Sequence, residues 1–343
     1  MPRYLVGVWI ALWLGAAAPA MAQQTYRVEN FSPAYFGRIY IADTSSVFSP
    51  GWIAIYSRKT HRQVLRVESE ELALNLHNGT ALANIQELPY GEQSLIISKD
   101  FNFDGRPDLA LQDGQNSCYH GPSFQVYLAT ATGFVHSAAF TRLAQEYCGL
   151  FQVDAKARRL RTMTKSGCCW HEYAEYTVRN NAPFQVHRVE EDMMQYPFGT
   201  TTEETWNGQR TVTRRSQIVD LTADNVRVLG TAPLLETQKR AVLLVTDSTT
   251  LHYVLLRPDN TVEFHYPGPG TDDAPFELVD TPAGTTLQFT NRGAVYQFRE
   301  TAAAPLVLEV QSGPVRRVLH TPAATRPLLP PLRAMQLENL RRP

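Results

Sequence analysis

The sequence predicts an all-β protein made of two antiparallel β-domains, each a sandwich or an irregular barrel. Short runs rich in Val, Ile, Tyr, Phe and Thr recur along the chain, separated by Gly, Asn, Asp and Pro. This spacing is typical of antiparallel strands joined by turns. Only Phe140–Tyr147 is helix-like, and it is too short to change the class. A length of 343 residues corresponds to about two domains of roughly 150 residues each.

Composition narrows the functional classes. The chain has 32 Lys and Arg against 33 Asp and Glu, a net charge of −1, with 19% charged and 43% hydrophobic residues. This balance excludes intrinsic disorder, collagen, a coiled coil and a polytopic membrane protein. A near-zero net charge also argues against a general nucleic-acid binder, because such a protein needs a basic surface to displace the counterions of phosphate groups.

Residues 1–22 have the three-part pattern of a secretory signal peptide. Met1–Arg3 is a short basic start, Tyr4–Ala18 is an apolar run, and Ala20-Met21-Ala22 places small residues where signal peptidase cuts. A transmembrane anchor is the alternative, but an anchor needs about 20 apolar residues, and this run is shorter. We therefore expect cleavage after Ala22 and a periplasmic or secreted protein without a membrane span.

The first β-domain is expected over residues 23–195. Candidate hairpin turns lie at residues 131–133, residues 154–157 and Asn180-Asn181, where Gly, Asn or Asp favours a turn. The predicted strands are Arg38–Ala42, Trp52–Tyr56, Val64–Val67, Ser94–Ile97, Ser123–Leu128, Phe151–Val153, Leu160–Thr164, Tyr173–Arg179 and Phe184–Val189.

A linker is predicted over residues 196–212, because Thr, Gly, Glu and Asn dominate there and the alternation of apolar residues lapses. A second β-domain follows over residues 213–320, with turns at Asp259-Asn260 and residues 291–293. The Pro-rich residues 321–343 are predicted to form a tail that is mobile or becomes ordered on contact. The strands predicted for the second domain are Gln217–Leu221, Ala241–Val245, Leu251–Leu256, Val262–Tyr266, Thr286–Thr290, Ala294–Arg299, Leu306–Val310 and Val315–Leu319.

The four cysteines of the chain are expected to pair, because disulfides persist in the oxidising compartments that exported proteins reach. Cys118, Cys148, Cys168 and Cys169 allow three pairings. We favour Cys118–Cys148, which closes about 31 residues and contributes roughly 3.7 kcal/mol, together with a vicinal Cys168–Cys169 bridge. Neighbouring Cα atoms lie only about 3.8 Å apart, which strains a vicinal bridge, so a crossed pairing remains open.

The strongest chemical signal is the acidic loop of residues 100–108, which has the pattern D-x-N-x-D-G-x-x-D. Oxygen-only ligands in a flexible loop favour calcium over zinc or magnesium, and Gly105 permits the sharp turn between them. The flanks are β-like and position 12 is Leu111 instead of the bidentate Glu of an EF-hand, so we expect a strand–loop–strand calcium site. A solvated acidic turn is the alternative. The predicted ligands are the side chains of Asp100, Asn102, Asp104 and Asp108 and the carbonyl of Arg106.

A second cluster, residues 166–172, has the sequence S-G-C-C-W-H-E. Paired cysteines lack the thiolate that a nucleophile or zinc ligand needs, so a structural role is favoured over a catalytic one. His252 and His265 can be diagonal neighbours across the Asp259-Asn260 hairpin, but no third ligand is visible to complete a zinc site. The sequence contains no metalloprotease, serine-hydrolase, phosphate-binding or dinucleotide-binding motif, and we expect no catalytic residues.

From Lys99 to about Glu191 the chain resembles a group of exported bacterial proteins typified by a xanthomonad periplasmic calcium-binding immunity protein. That family member inhibits a lysozyme-like effector of a type IV secretion system. The resemblance implies a β-rich periplasmic fold with one calcium on the loop of residues 100–108, and residues beyond about 200 lie outside it. The matching segments are Asp100–Leu109, Tyr119–Phe124, Val126–Leu128, Leu150–Asp154 and Lys165–Glu172.

Lysozyme inhibition is the function that this resemblance favours. Several unrelated bacterial lysozyme inhibitors insert a loop with Ser-Gly and a nearby aromatic residue into the lysozyme cleft, and Ser166, Gly167 and Trp170 are similar to that pattern. A rigid loop suits insertion because it loses little entropy on binding, although Trp170 can equally pack in the core. The leading hypothesis is a periplasmic, calcium-stabilised binding protein that blocks a peptidoglycan hydrolase. A structural envelope-associated calcium module and an unrecognised hydrolase using His171, Glu172 or the acidic loop are the alternatives.

Overall fold

A computed structural model describes residues 24–88, 91–268, 275–301, 304–322 and 327–343. The predicted signal peptide lies outside the described residues. The chain forms two compact units, one of residues 1–163 with Tyr176–Phe184 and the other of Thr164–Glu175 with Gln185–Pro343. Among the described residues, no helix is long and apolar enough to cross a membrane.

The first unit contains two four-stranded sheets, ordered β1-β2-β3-β4 and β10-β9-β8-β7, and a small β5-β6 pair. Its helix α1 (Ala138–Leu143) begins two residues before the predicted helical segment, after the N-cap Ser137, whose side chain accepts a hydrogen bond from the Phe140 amide. The strands of this unit are β1 (Gln24–Val28), β2 (Tyr35–Ile41), β3 (Ser49–Ser57), β4 (Gln63–Leu72), β5 (Leu76–His77), β6 (Thr80–Ala81), β7 (Ile96–Lys99), β8 (Asp108–Ser117), β9 (Gly121–Ala129), β10 (Phe134–His136) and β11 (Gln152–Asp154).

The two four-stranded sheets of the first unit are packed face to face. Ile39 and Ile53 from one sheet and Ile96 and Leu111 from the other belong to one buried cluster. Phe101 and Phe151 are also fully buried in this unit and pack edge to face, with ring centroids 5.3 Å apart. Burial of each such side chain contributes about 1.5–3 kcal/mol, so this unit has the sandwich core that the strand pattern predicts.

Three strands have residues in both units: β12 (Arg159–Ser166), β13 (Trp170–Arg179) and β14 (Ala182–Gln195). The turn between β13 and β14 is the predicted Asn180-Asn181, with φ values of 50° and 56°. Asparagine tolerates this left-handed conformation better than most residues, and two positive φ values in succession suit a tight hairpin.

The second unit contains two layers. One sheet has the order β14-β15-β16-β20-β19-β18-β17 within this unit, and the other has the order β25-β24-β23-β22-β21-β26. Both sheets are open and built from antiparallel neighbours, apart from the parallel pair of β21 and β26. The further strands are β15 (Phe198–Trp206), β16 (Thr211–Val219), β17 (Val226–Pro233), β18 (Arg240–Thr246), β19 (Thr250–Leu256), β20 (Val262–Tyr266), β21 (Phe276–Thr281), β22 (Gly284–Asn291), β23 (Ala294–Thr301), β24 (Ala304–Ser312), β25 (Val315–His320) and β26 (Leu340–Arg341).

Two segments of the second unit bear on the sequence-based prediction. Residues 196–212, predicted as a linker, include all of β15 and the start of β16, because threonine favours strands even where no apolar face must be buried. In the described part of the predicted tail, Pro330–Ala334 forms a 3₁₀ helix, in agreement with the alternative of a tail that becomes ordered on contact. Leu329 and Leu332 are fully buried in the main core of this unit, which holds the C-terminal segment in place.

Candidate functional site

The acidic loop connects β7 to β8 in the first unit, as the sequence predicts. Lys99 pairs with Asp108 in antiparallel register, so the loop joins the ends of two adjacent strands. Gly105 has a φ of +90°, a conformation that side chains disfavour. The loop is therefore a strand–loop–strand turn that depends on glycine at this position.

Backbone amides of the loop bind the side-chain oxygens of its first three polar residues. Asp100 accepts hydrogen bonds from the amides of Asp104 at 3.0 Å and Gly105 at 2.8 Å. Asn102 Oδ1 accepts from the Asp104 amide at 3.1 Å, and Asp104 Oδ1 accepts from the Arg106 amide at 2.9 Å. These bonds fold the loop around its own oxygen donors.

Asp108 is placed differently from the other predicted ligands. It is fully buried, and its Oδ2 accepts hydrogen bonds from the amides of Phe101 at 2.8 Å and Asn102 at 3.4 Å. Its Oδ1 accepts from the Ala129 amide at the end of β9, at 2.7 Å. Burial raises the pKa of Asp108 to about 6, although these hydrogen bonds oppose the shift. The carboxylate ties the loop to β9.

The oxygen donors of the loop suit a hard cation chemically, because carboxylates, an amide oxygen and a backbone carbonyl are the ligands that calcium takes. Within the described ranges, no group of three or more His, Cys, Asp or Glu side chains is arranged to hold a metal ion. A cavity of about 380 Å³ borders the loop, lined in part by Asn102, Asp104, Arg106 and Asn181. Because Asp104, Gly105 and Arg106 are exposed, the loop is open to ions from the solvent.

The S-G-C-C-W cluster forms the tip of the β12–β13 hairpin in the second unit. Ser166, Gly167 and Cys168 are exposed, and Gly167 has a φ of +63°. Cys168 and Cys169 form the expected vicinal disulfide, with Cα atoms 3.7 Å apart. The Met193 amide on β14 donates a 2.7 Å hydrogen bond to the Cys169 carbonyl. The loop is thus exposed at its tip and fixed at its base.

The other predicted disulfide joins Cys118 to Cys148 in the first unit, so the favoured pairing is confirmed and the crossed pairings are not formed. No free cysteine is found in the described part of the chain. Two disulfides are typical of proteins that mature in an oxidising compartment.

Residues beside the hairpin tip have structural partners. Trp170 is half-buried and lies at the first position of β13. The carboxylate of Glu172 accepts a 2.7 Å hydrogen bond from Arg188, whose guanidinium also contacts Glu190 at 2.6 Å and Glu204 at 3.6 Å. Glu172 is therefore engaged in an ion-pair network, which does not favour its use as the acid or base of a hydrolase.

Comparisons with known proteins find few similarities. No protein-family model matches the chain, and no curated protein matches it. The matches among solved structures include a Xanthomonas type IV secretion system related protein, with 19% identity, a TM-score of 0.44, and coverage of 58% of this chain and 97% of that chain. A prolyl oligopeptidase B from Galerina marginata matches with 7% identity and a TM-score of 0.25, covering 86% of this chain and 42% of that chain.

These two likenesses are too low to carry a functional argument. The sequence resemblance is also to xanthomonad proteins connected with type IV secretion, and a Xanthomonas type IV secretion system related protein is among the structural matches. Calcium binding and inhibition are not shown by either match, and both stay predictions.

Sequence reasoning missed a groove in the second unit, on one face of β14, β15 and β16. The signal was present as Glu, Asp, Thr, Arg and Gln at alternate positions of these strands. Their register across the sheet was not visible in the sequence, so no shared face was predicted. His265, one of the two histidines considered for a zinc site, also lines this groove.

Proposed function

We propose that this protein is an exported, calcium-stabilised, non-enzymatic binding protein that inhibits a lysozyme-like peptidoglycan hydrolase. The supporting observation is the exposed tip of the β12–β13 hairpin, in which the vicinal disulfide and the hydrogen bond from Met193 hold the backbone. A loop already held in one conformation loses little entropy when it enters a cleft. In this proposal Ser166 and Gly167 contact the hydrolase, and Trp170 is the aromatic anchor of the interface.

Calcium has a stabilising role in this proposal. Asp100, Asn102, Asp104 and the carbonyl of Arg106 would hold the ion, which would offset the repulsion between nearby carboxylates. Asp108, predicted from the sequence as a fifth ligand, supports the loop through the backbone amides that it binds. The ion is a structural component of the first unit and takes no part in a reaction.

The decisive experiment measures inhibition of peptidoglycan hydrolysis by the purified mature chain and by two variants, Ser166→Ala and Trp170→Ala. We expect the wild type to inhibit and both variants to lose about tenfold or more in affinity for the hydrolase. Trp170→Ala removes an aromatic anchor, which typically contributes more than about 1 kcal/mol, and Ser166→Ala removes a hydrogen-bonding group that would be buried in the cleft. Thr132→Ala is the matched control, because Thr132 lies at the exposed tip of the β9–β10 hairpin in the first unit and should leave inhibition unchanged.

Thermal melting of each variant separates loss of binding from loss of folding. If no cell-wall hydrolase is captured from periplasm or from competitor secretions, and none is inhibited, the proposed function is wrong. Inhibition that survives both loop substitutions would instead place the contact surface elsewhere on the chain.

A further inference from the structure

The sheet formed by β14, β15 and β16 has little core, since its Phe198 and Val219 pack against the cluster on β18, β19 and β20 while most of its other side chains cover no second layer. Between Gln185 and Thr222 only Pro197 is buried, and the remaining side chains are half-buried or exposed. Strands of a globular protein usually bury one face against a second layer, as β18 and β19 do in the same unit. This sheet therefore presents ordered side chains to solvent, which is an arrangement suited to binding.

Polar residues from three strands share one face of this sheet. Glu190 pairs with Thr202 and Asp192 with Thr200, while Thr202 pairs with Arg215 and Thr200 with Gln217. Paired residues of antiparallel strands lie on the same side, so these six side chains form two adjacent rows. Gln217 also pairs with Val262, which extends the second row to β20.

The two rows line a continuous groove. A cavity of about 300 Å³ lies over Glu190, Thr202 and Arg215, and a second of about 230 Å³ lies over Asp192, Phe198 and His265. Both are lined by Thr200 and Gln217, so the two cavities adjoin on this face. Neighbouring strands are about 4.8 Å apart, and the groove crosses from β14 to β20, which is long enough for a short oligomer.

Four of the six side chains in the two rows are left without partners, whereas Glu190 pairs with Arg188 and Asp192 accepts a hydrogen bond from the Met194 amide. Of the residues that the structure describes, none forms a side-chain hydrogen bond or ion pair with Arg215, Gln217, Thr200 or Thr202. The neighbouring Arg214, on the opposite face, does have a partner, since it donates a 2.7 Å hydrogen bond to Asp259.

The β20 end of the groove is an uncharged aromatic wall. Phe198 stacks on His265, with ring centroids 3.7 Å apart and planes at 19°. His265 Nε2 lies 3.0 Å from Nδ1 of His252, whose Nε2 lies 2.9 Å from the Thr246 hydroxyl. Burial lowers the pKa of His252 to about 4 and the pKa of His265 to about 3, so both rings are neutral at physiological pH. Neutral imidazole has one donor and one acceptor nitrogen. The hydrogen-bonded series of Thr246, His252 and His265 can therefore offer either a donor or an acceptor to a ligand.

Sugars match this combination of groups. Sugar hydroxyls both donate and accept hydrogen bonds. The Arg side chain can donate to them, the carboxylates can accept from them, and Thr and Gln can do both. The C–H face of a sugar ring can pack against an aromatic ring such as Phe198. A nucleic acid or another polyanion fits poorly, because the acidic Glu190 and Asp192 line the same face as Arg215. A lipid fits poorly because the groove is polar over β14 to β16.

We propose that the groove on β14, β15, β16 and β20 binds a neutral oligosaccharide, with Phe198 packing against a sugar ring and Thr200, Arg215 and Gln217 binding its hydroxyls. This is a second binding activity, separate from the hairpin tip and independent of the proposed inhibition.

The test titrates two neutral tetrasaccharides, cellotetraose and chitotetraose, into the mature chain by isothermal titration calorimetry. We expect at least one of them to bind, and Thr200→Val and Arg215→Gln each to weaken binding about tenfold, the effect of one lost hydrogen bond with a buried partner. The matched controls are Thr201→Val and Arg214→Gln, the same substitutions on the opposite face of the same strands, which should leave the Kd unchanged.

Each outcome of the titration decides the proposal. Lack of binding by both tetrasaccharides would overturn it, as would binding that responds equally to the groove variants and to their controls. Binding of a single-stranded oligonucleotide at the groove in place of the sugars would also overturn it. Thr200→Val keeps a β-branched side chain, so the strand is preserved, and melting curves confirm that the variants fold. Hydrolase inhibition is measured with Ser166→Ala, so failure of one proposal is distinguishable from failure of the other.

Discussion

The two units hold their irregular segments in place by different means. In the first unit the acidic loop is held by a buried carboxylate, Asp108, which accepts hydrogen bonds from three backbone amides. In the second unit the hairpin tip is held by a covalent bond between adjacent cysteines, and the buried polar groups beside the groove are neutral histidines. The stability of the acidic loop should therefore depend on ions and on the Asp108 carboxylate. The conformation of the hairpin tip should depend on its disulfide and not on ions.

The largest expected effect is that of Asp108→Ala on the stability of the first unit. The substitution leaves up to three amides without an acceptor, at about 1–3 kcal/mol for each buried group, so we expect a loss of about 3–5 kcal/mol in the free energy of unfolding. Denaturant titration measures it, and Asp224→Ala, at an exposed position, is the control. A loss below about 1 kcal/mol would mean that water replaces the carboxylate and that the loop needs no such support.

Calcium should stabilise the first unit by a smaller amount. A ligand that binds only the folded state adds about 2.7 kcal/mol when its concentration is one hundred times Kd. We expect excess calcium to raise the melting temperature and EDTA to lower it, with both effects lost in Asp104→Asn and kept in Asp224→Asn. A melting temperature that ignores calcium and EDTA would show that the acidic loop is a metal-free turn.

The histidine pair should make the second unit sensitive to acid. In the unfolded chain a histidine takes up a proton near its ordinary pKa of 6.5, whereas the folded pair is protonated only near pH 4 for His252 and pH 3 for His265. Above pH 6.5 both histidines are neutral in the folded and the unfolded chain, so the free energy of unfolding does not depend on them. Below pH 6.5 the unfolded chain binds protons that the folded chain does not, and the free energy of unfolding falls by about 1.4 kcal/mol per pH unit for each proton gained on unfolding. The test compares the wild type with His252→Gln/His265→Gln in denaturant titrations from pH 7 to 4.5. Parallel pH profiles for the two proteins would refute the assignment.

The smallest effect on stability is expected from Cys168→Ser/Cys169→Ser. A bridge between adjacent residues closes almost no chain, so the entropic stabilisation that longer loops gain is nearly absent, and we expect a change below about 1 kcal/mol. Hydrolase inhibition should nevertheless fall, since the tip loses its fixed conformation. A large loss of stability with unchanged inhibition would show that the vicinal bridge stabilises the second unit and does not position the hairpin tip for binding. The longer Cys118–Cys148 bridge provides the comparison, at about 3.7 kcal/mol.

Local sequence signals predicted much of this protein correctly. Alternating apolar residues indicated the all-β class, Asn180-Asn181 and Gly105 indicated turns, which have positive φ in the structure, and the expectation of export predicted paired cysteines. Each of these depends on a preference of a few consecutive residues. The prediction for residues 196–212 was wrong in detail, because Thr-rich strands without a buried face lack that local periodicity. For residues 321–343 the sequence left open whether the tail is mobile or ordered on contact, and the burial of Leu329 and Leu332 agrees with the second.

Tertiary structure alone decided which distant groups meet. The third hydrogen bond of Asp108 comes from Ala129 on β9, and the groove exists because Glu190, Thr202 and Arg215 align across three strands. A shift of one residue in register would move each of these side chains to the opposite face. Sequence determines which backbone conformations and covalent bonds are available to each segment, whereas hydrogen-bond partners and shared faces depend on packing between segments far apart in the chain.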